Sequence, residues 1–283
     1  MKQLAIILCM VLVSVQVFGQ GRVTTRKYRF SDFPDKITKV VMSGNDIADS
    51  ALRDAVVENW TLSPFEFCSL EEYEALIGSP DYYFLIEMEG KFKGEKEAGI
   101  VFLTLLKGGP DDPDSPTPRT EVITLPLCPA SVLSGRELFF VKALVKGIQE
   151  FTAQAMESEK VAYQGPSWFN ERFADKGRIR RIYMSEDDLS PKVSERDKDR
   201  YIDEDFLLVD EDQADEVYLA GTFNTLVSYV VAAPDPVLNA SYCYKMLFDA
   251  ESESLYYYHR HKITARSGVG FVTDDLRRIS RKR

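Results

Sequence analysis

The sequence is poor in the residues on which most enzyme and metal sites depend. Its 283 residues include two histidines and four cysteines, and no Gly-x-Ser-x-Gly motif occurs. Gly268-Val269-Gly270 has no third glycine, so no dinucleotide-binding loop is expected either. A net charge of −10, from 35 basic and 45 acidic residues, argues against a nucleic-acid partner, because phosphate binding needs a basic face. Composition therefore excludes several functions without indicating one.

Long hydrophobic runs are missing after the first residues of the chain. Lys2 precedes an apolar run over residues 4–15, and Val17 and Gly19 occupy the −3 and −1 positions of a signal-peptide cleavage site. The run is shorter than the roughly 20 apolar residues needed to span a bilayer. Residues 1–19 are therefore predicted to be a secretory signal peptide, and the exported chain is expected to begin at Gln20, in the periplasm or at the cell surface.

Cysteine is too rare for a disulfide framework in the exported chain. Cys68, Cys128 and Cys243 are an odd number of widely spaced thiols. One pair could close in an oxidising compartment and leave one thiol over. We favour the alternative, in which all three are small buried side chains.

The pattern of apolar residues predicts an α/β (α+β) fold of two similar halves, each with amphipathic helices on a mainly antiparallel sheet. The halves are 20–132 and 133–270, followed by a basic tail over 271–283. Helices are predicted at 46–60, 70–77 and 134–156, the last two opened by capping boxes at Ser69 and Ser134. Strands are predicted at 65–68, 82–88, 100–106, 121–127, 206–209 and 217–231, with a hairpin over 242–263. Residues 158–203 are polar and predict little beyond a strand near 179–183.

Several stretches resemble uncharacterised secreted proteins of the Bacteroidetes. They are residues 51–60, 65–67, 82–85, 244–250 and 256–261. The resemblance covers most of the exported chain and carries no assigned activity. It implies export, and it suggests Ser50 as an O-glycosylation site, since Asp49-Ser50-Ala51 is similar to the acidic-Ser/Thr-aliphatic sites of that group.

A weaker likeness is to the α/β module of envelope proteins such as the curli secretion lipoprotein and the N-terminal domain of TolB. In that module an Ala-Asp-hydrophobic strand and a hairpin with an acidic turn follow a helix and a strand. Residues 214–221 and 247–251 occupy those places here. The chain lacks the lipid-bearing cysteine and the membrane-inserting segments of the curli protein, which argues against a pore.

His259 and His261 are the candidate site residues. They lie two apart on a predicted strand, so both imidazoles face the same way and could share zinc or copper. No carboxylate or thiol follows at short spacing, and a polar strand face is the alternative interpretation. A cysteine nucleophile with one of these histidines as its base is also conceivable, but no motif supports it.

Charged runs are the remaining candidates. Acidic runs at 111–114, 186–188, 203–205 and 210–212 are interpreted as solvated loop rims, with calcium sites as the alternative. Basic runs at 176–181 and 277–283 could meet anionic lipid headgroups or glycan phosphate, which allows peripheral membrane contact. Ordinary surface charge is the favoured interpretation of the two basic runs.

The sequence as a whole predicts a non-catalytic binding or assembly component of the cell envelope that needs no cofactor. Its partner is expected to be an envelope protein or a surface glycan. The alternative is a secreted hydrolase or metal-dependent enzyme centred on His259 and His261.

Overall fold

The structure is a computed structural model that describes residues 31–110, 120–130, 135–174 and 181–280. The predicted leader 1–19, residues 20–30, Ser134 and the basic run 176–180 lie outside the described residues. The described chain is a mixed α/β fold with two five-stranded sheets, one in each half. The predicted fold class and the two similar halves are therefore confirmed.

The N-terminal unit contains one sheet and two helices that connect its strands. In chain order the elements are β1 (Ile37–Val41), α1 (Asp46–Asn59), β2 (Phe65–Cys68), α2 (Leu70–Leu76), β3 (Tyr82–Gly90), β4 (Ile100–Lys107) and β5 (Thr120–Pro129). Three helices follow: α3 (Arg136–Glu157), α4 (Glu159–Gln164) and α5 (Phe169–Ala174).

The C-terminal unit repeats the same order of elements. It comprises β6 (Arg181–Ser185), α6 (Glu195–Tyr201), β7 (Phe206–Val209), α7 (Glu211–Leu219), β8 (Thr225–Ala232), β9 (Tyr242–Asp249), β10 (Leu255–Lys262) and α8 (Thr273–Ile279). The strand orders are β2-β1-β3-β4-β5 and β10-β9-β8-β6-β7, which are the same topology.

Both sheets are mixed: their longest ladders are antiparallel, as predicted, and each sheet also has two shorter parallel pairings that the sequence did not predict. In each unit the first strand pairs in parallel with the second and the third, and the last three strands form an antiparallel meander. A parallel pair needs a crossover connection, and the helices α1 and α2, or α6 and α7, supply it. The repeat is therefore one of topology, with parallel pairing at one edge of each sheet.

Local sequence signals explain where the first helices begin. The Asn45 side chain accepts hydrogen bonds from the backbone of Ile47 and Ala48 at the start of α1. Ser69 and Glu72 form the predicted capping box of α2. Helix α3 begins at Arg136, after Gly135, close to the predicted start.

The predicted strand 217–231 is wrong over its first half. Residues 211–219 form α7, which is capped by the carboxylate of Asp210, and only 225–232 are a strand. The alternation of apolar residues from Val217 to Phe223 belongs to the end of a helix and a turn at Gly221, whose φ is +61°. Residues 214–221, placed on a strand by the likeness to the envelope module, are therefore helical or in this turn.

Two further stretches are more structured than predicted. Residues 158–203 contain α4, α5 and α6, although their polar composition predicted little structure. Residues 271–280, predicted as part of a basic tail, fold back on the second sheet through α8. Its Leu276 and Ile279 are buried, and Phe271 forms a bridge with Leu189. Residues 281–283 lie outside the described residues.

Helix α3 lies in the core that the two units share. The ring of Phe140 stacks on Tyr229 of β8 with centroids 4.3 Å apart, and it also contacts Phe248 of β9. The Tyr229 hydroxyl donates to the carbonyl of Leu127 in β5, which links the sheets directly. On its other side α3 packs against α1. Within the described ranges, no helix has the length and apolar character required to cross a membrane.

Candidate functional site

The two histidines lie side by side on β10, on the same strand face as predicted. The antiparallel register pairs His259 with Lys245 and His261 with Cys243. Lys245 extends between the two imidazoles: its Nζ is 3.2 Å from Nδ1 of His259 and 2.7 Å from Nδ1 of His261. The two imidazoles of β10 therefore lie on either side of the Lys245 ammonium.

Asp275 of α8 completes this cluster. Its Oδ2 accepts from Nζ of Lys245 at 2.7 Å, and both side chains are fully buried. Its Oδ1 accepts from the hydroxyl of Tyr257 at 2.7 Å, and Oδ2 also accepts the backbone N–H of Val272. We call Lys245, Tyr257, His259, His261 and Asp275 the lysine–histidine cluster.

The hydrogen bonds of His261 define a neutral ring. Its Nε2 lies 3.0 Å from the carbonyl oxygen of Gly268, which can only accept, so Nε2 carries the proton. Its Nδ1 then has the lone pair that accepts from the ammonium of Lys245. A second proton on Nδ1 would face that ammonium directly.

His259 has the opposite arrangement. Its Nδ1 lies 2.5 Å from Oδ1 of Asp275, so an ionised carboxylate requires the proton on Nδ1. The contact of this atom with Lys245 is then between two donors. Its side chain is 28% exposed. An imidazole oriented by a carboxylate is half of a nucleophile–base–carboxylate arrangement. The hydrogen bond that His259 makes to the described residues, however, uses Nδ1 and not Nε2.

The charges of the cluster shift several pKa values. Burial alone would raise the pKa of Asp275, but the hydrogen bond from His259 and the ammonium of Lys245 hold it well below its usual range. Burial lowers the pKa of Lys245, against the attraction of Asp275. Burial, together with the Lys245 ammonium, also lowers the pKa of His261. The cluster is a compensated ion pair with a neutral imidazole bonded to its cation.

Among the described residues, Asp275 is the one further candidate ligand beside the predicted metal pair. The ammonium of Lys245 already occupies the position between the two rings. The described residues contain no group of three His, Cys, Asp or Glu side chains arranged to hold a metal ion. In the described part of the chain, Nδ1 of both histidines is engaged by Lys245 or Asp275.

Sequence reasoning missed Lys245, Tyr257 and Asp275. A lysine within the otherwise apolar strand 242–248 was a signal, because a buried ammonium requires a partner. Asp275 was hidden within a stretch assigned to the basic tail. Its partners are 16 to 30 residues away in sequence, and only the hairpin register and the return of α8 bring them together.

We expect the lysine–histidine cluster to make stability fall on acidification. Because the folded pKa of His261 is below the unfolded value of about 6.5, the unfolded chain binds more protons below that pH. Stability should therefore drop as pH falls from about 6.5 through the folded pKa, with a slope of at most about 1.4 kcal/mol per pH unit from this group. Urea unfolding at a series of pH values between 7 and 5 measures it.

The variant His261→Gln should reduce that slope, because an amide keeps one donor and one acceptor without titrating. The matched control is Arg260→Gln, between the two histidines, where the exposed guanidinium lies over Tyr242. Equal slopes in His261→Gln and wild type would contradict the assignment of a neutral His261.

A second charged cluster joins the two units. Arg136 at the start of α3 is 5% exposed, and its Nε lies 2.9 and 3.1 Å from the two carboxylate oxygens of Asp215. Its Nη1 lies 3.2 Å from Glu211 and 3.7 Å from buried Asp188, and Nη2 donates to the carbonyl of Ser228. Asp188 and Glu211 thus pair with arginine, although their acidic runs were predicted as solvated rims.

An open cleft lies where α1, α3 and the end of α7 meet the β9–β10 turn, with a volume of about 440 Å³. We call it the interunit cleft. Its carboxylates are Asp54, Glu58, Glu251 and Glu253. Its apolar lining includes Leu138, Phe139 and Leu219, and Leu219 is 59% exposed. The sequence did not indicate this cleft, because its walls come from both units.

The other predicted residues lie apart from these clusters. Cys68, Cys128 and Cys243 are all unpaired thiols and buried, as the favoured interpretation predicted. Burial raises the pKa of Cys128 to about 12 and that of Cys243 to about 11, so neither thiol is a ready nucleophile. Ser50 lies on the exposed side of α1, and its glycosylation stays a prediction.

Comparisons with known proteins add no identity. No family model, no curated protein and no solved structure matches this chain. The interunit cleft and the lysine–histidine cluster are therefore the features of the structure that bear on function.

Proposed function

We propose that this protein is a non-catalytic binding or assembly component of the cell envelope, exported by its N-terminal leader, and that its partner binds in the interunit cleft. The leader pattern of residues 1–19 and the resemblance to secreted proteins support export. The supporting observation for binding is the cleft itself, where exposed apolar side chains lie beside four carboxylates.

The chemistry of the cleft favours a protein partner over a glycan. Apolar side chains surrounded by polar groups are typical of protein interfaces, and an exposed apolar patch with a polar rim marks such sites. Leu219 and Phe139 line the cleft and are accessible. A partner segment with apolar and basic side chains would match this surface.

The test is affinity capture from an envelope extract with wild type and two variants. Leu219→Asp places a charge on the apolar lining, and we expect it to reduce capture of a specific protein about tenfold or more, as for interface residues worth about 2 kcal/mol. The matched control is Ile47→Asp: Ile47 is 68% exposed on α1 and does not line the cleft.

Equal capture by Leu219→Asp and Ile47→Asp would contradict the proposed surface.

Zinc and copper are measured in the same wild-type preparation, because the alternative function is a metal-dependent enzyme at His259 and His261. Stoichiometric metal that is lost when both histidines are replaced by alanine would overturn the non-catalytic proposal.

A further inference from the structure

The interunit cleft is strongly acidic. Among the described residues that line it, Lys142 is the one cation against four carboxylates. Its Nζ lies 2.8 Å from Glu58 and 3.0 Å from Glu253, so it bridges the two walls. Asp54 and Glu251 add negative charge at exposed positions. The cleft therefore offers an apolar floor with an excess of negative charge around it.

The sequence just before the described chain has the opposite character. Residues 20–30, which lie outside the described residues, contain Arg22, Arg26, Lys27 and Arg29 and no acidic residue. Tyr28 and Phe30 alternate with Lys27 and Arg29, so aromatic and basic side chains are interleaved along the segment. This composition complements an apolar floor bordered by carboxylates.

The attachment point of this segment is close to the cleft. Phe33, near the start of the described chain, packs against Trp60 with ring centroids 6.0 Å apart. Trp60 ends helix α1, whose Asp54 and Glu58 line the cleft. Eleven residues, 20–30, can span up to about 36 Å when extended, which is enough to pass around one helix of about 10 Å diameter.

We propose that residues 20–30 dock in the interunit cleft of their own chain, with an aromatic side chain on the floor near Leu219 and the basic side chains against the carboxylates. Attachment raises the local concentration of the segment to the millimolar range, so weak contacts suffice. The inference concerns this chain alone and does not require that the partner exist.

The test is zero-length carbodiimide cross-linking of the purified chain with residues 20–30 present, followed by peptide mass spectrometry. Lys27 is the only lysine in residues 20–30, so its cross-links report where the segment lies. We expect Lys27 to join Asp54, Glu58, Glu251 or Glu253. The pair Lys36 and Asp81, 3.1 Å apart in the structure, serves as the positive control.

Two comparisons separate docking from general attraction between charges. Leu219→Ser removes part of the floor and should lower the yield of Lys27 cross-links to the cleft at least about threefold, whereas Ile47→Ser should not. A mixture of ¹⁵N-labelled and unlabelled chains should give cross-links within one isotope. Links of Lys27 to carboxylates elsewhere, or equal yields in both variants, would overturn the proposal. Cross-links between isotopes would assign the segment to a second copy and overturn docking within one chain.

Discussion

Replacing Arg136 by methionine is expected to lower the free energy of unfolding by about 3–5 kcal/mol, the range found when one partner of a buried ion pair is removed. Methionine keeps much of the length of the side chain and its contact with Phe140 and Tyr229, over which the guanidinium lies. The expected loss in free energy of unfolding is therefore electrostatic and does not come from lost packing. Urea unfolding at neutral pH measures it.

The size of this effect follows from what the substitution leaves behind. Asp188 is 4% exposed and has Arg136 as its cation, and Asp215 receives two hydrogen bonds from Nε. Burial already raises the pKa of both carboxyls, against the opposing pull of Arg136. Without the guanidinium, uncompensated negative charge would remain in the core that joins the units.

The matched control is Lys142→Met, six residues further along α3. Its side chain is 36% exposed and its ammonium pairs with Glu58 and Glu253, so we expect a loss of about 1 kcal/mol or less. The loss in free energy of unfolding caused by Arg136→Met should shrink as pH falls from 7 towards 4, because protonation of Asp188 and Asp215 removes the buried negative charge. Adding Asp188→Asn should recover part of the stability. A loss as small as that of Lys142→Met would contradict the assigned role of Arg136.

Local patterns predicted most elements, since capping residues and periodicity act within a few residues of the chain. Asn45 starts α1, Ser69 and Glu72 open α2, and the apolar strands at 82–90 and 242–249 are recognisable from composition. The prediction failed at 211–219, where an alternating pattern masked a helix. The local signal for the helix is Asp210, whose carboxylate caps α7 by accepting the backbone N–H of Gln213.

Long-range contacts could not be predicted in the same way. The sequence indicated His259 and His261 as a pair on one strand face, which the structure confirms. It could not indicate that Lys245 would lie between them, because this depends on the register of β9 with β10. Parallel pairing of β1 with β3, or of β6 with β8, was missed for a related reason: the crossover helices determine it, and no single strand encodes it.

Substituting Asp275 by asparagine is expected to be as damaging as Arg136→Met, with a loss of about 3–5 kcal/mol. The change is nearly isosteric and leaves Lys245, fully buried, without the carboxylate that lies 2.7 Å from its ammonium. It also weakens the acceptors used by Tyr257, His259 and the backbone of Val272. The matched control is Asp274→Asn, whose exposed carboxylate pairs with Arg277 and Arg278 and should contribute about 1 kcal/mol or less.

The pH dependence of this loss identifies its cause. The folded pKa of Asp275 is held far below the unfolded value of about 3.9, so its contribution is fully present above that value and is lost as pH falls through it towards the folded pKa. The difference in free energy of unfolding between wild type and Asp275→Asn should thus narrow below about pH 4. A difference that is independent of pH down to 3 would mean that packing of α8, and not the charge of Asp275, holds this end of the chain on the second sheet.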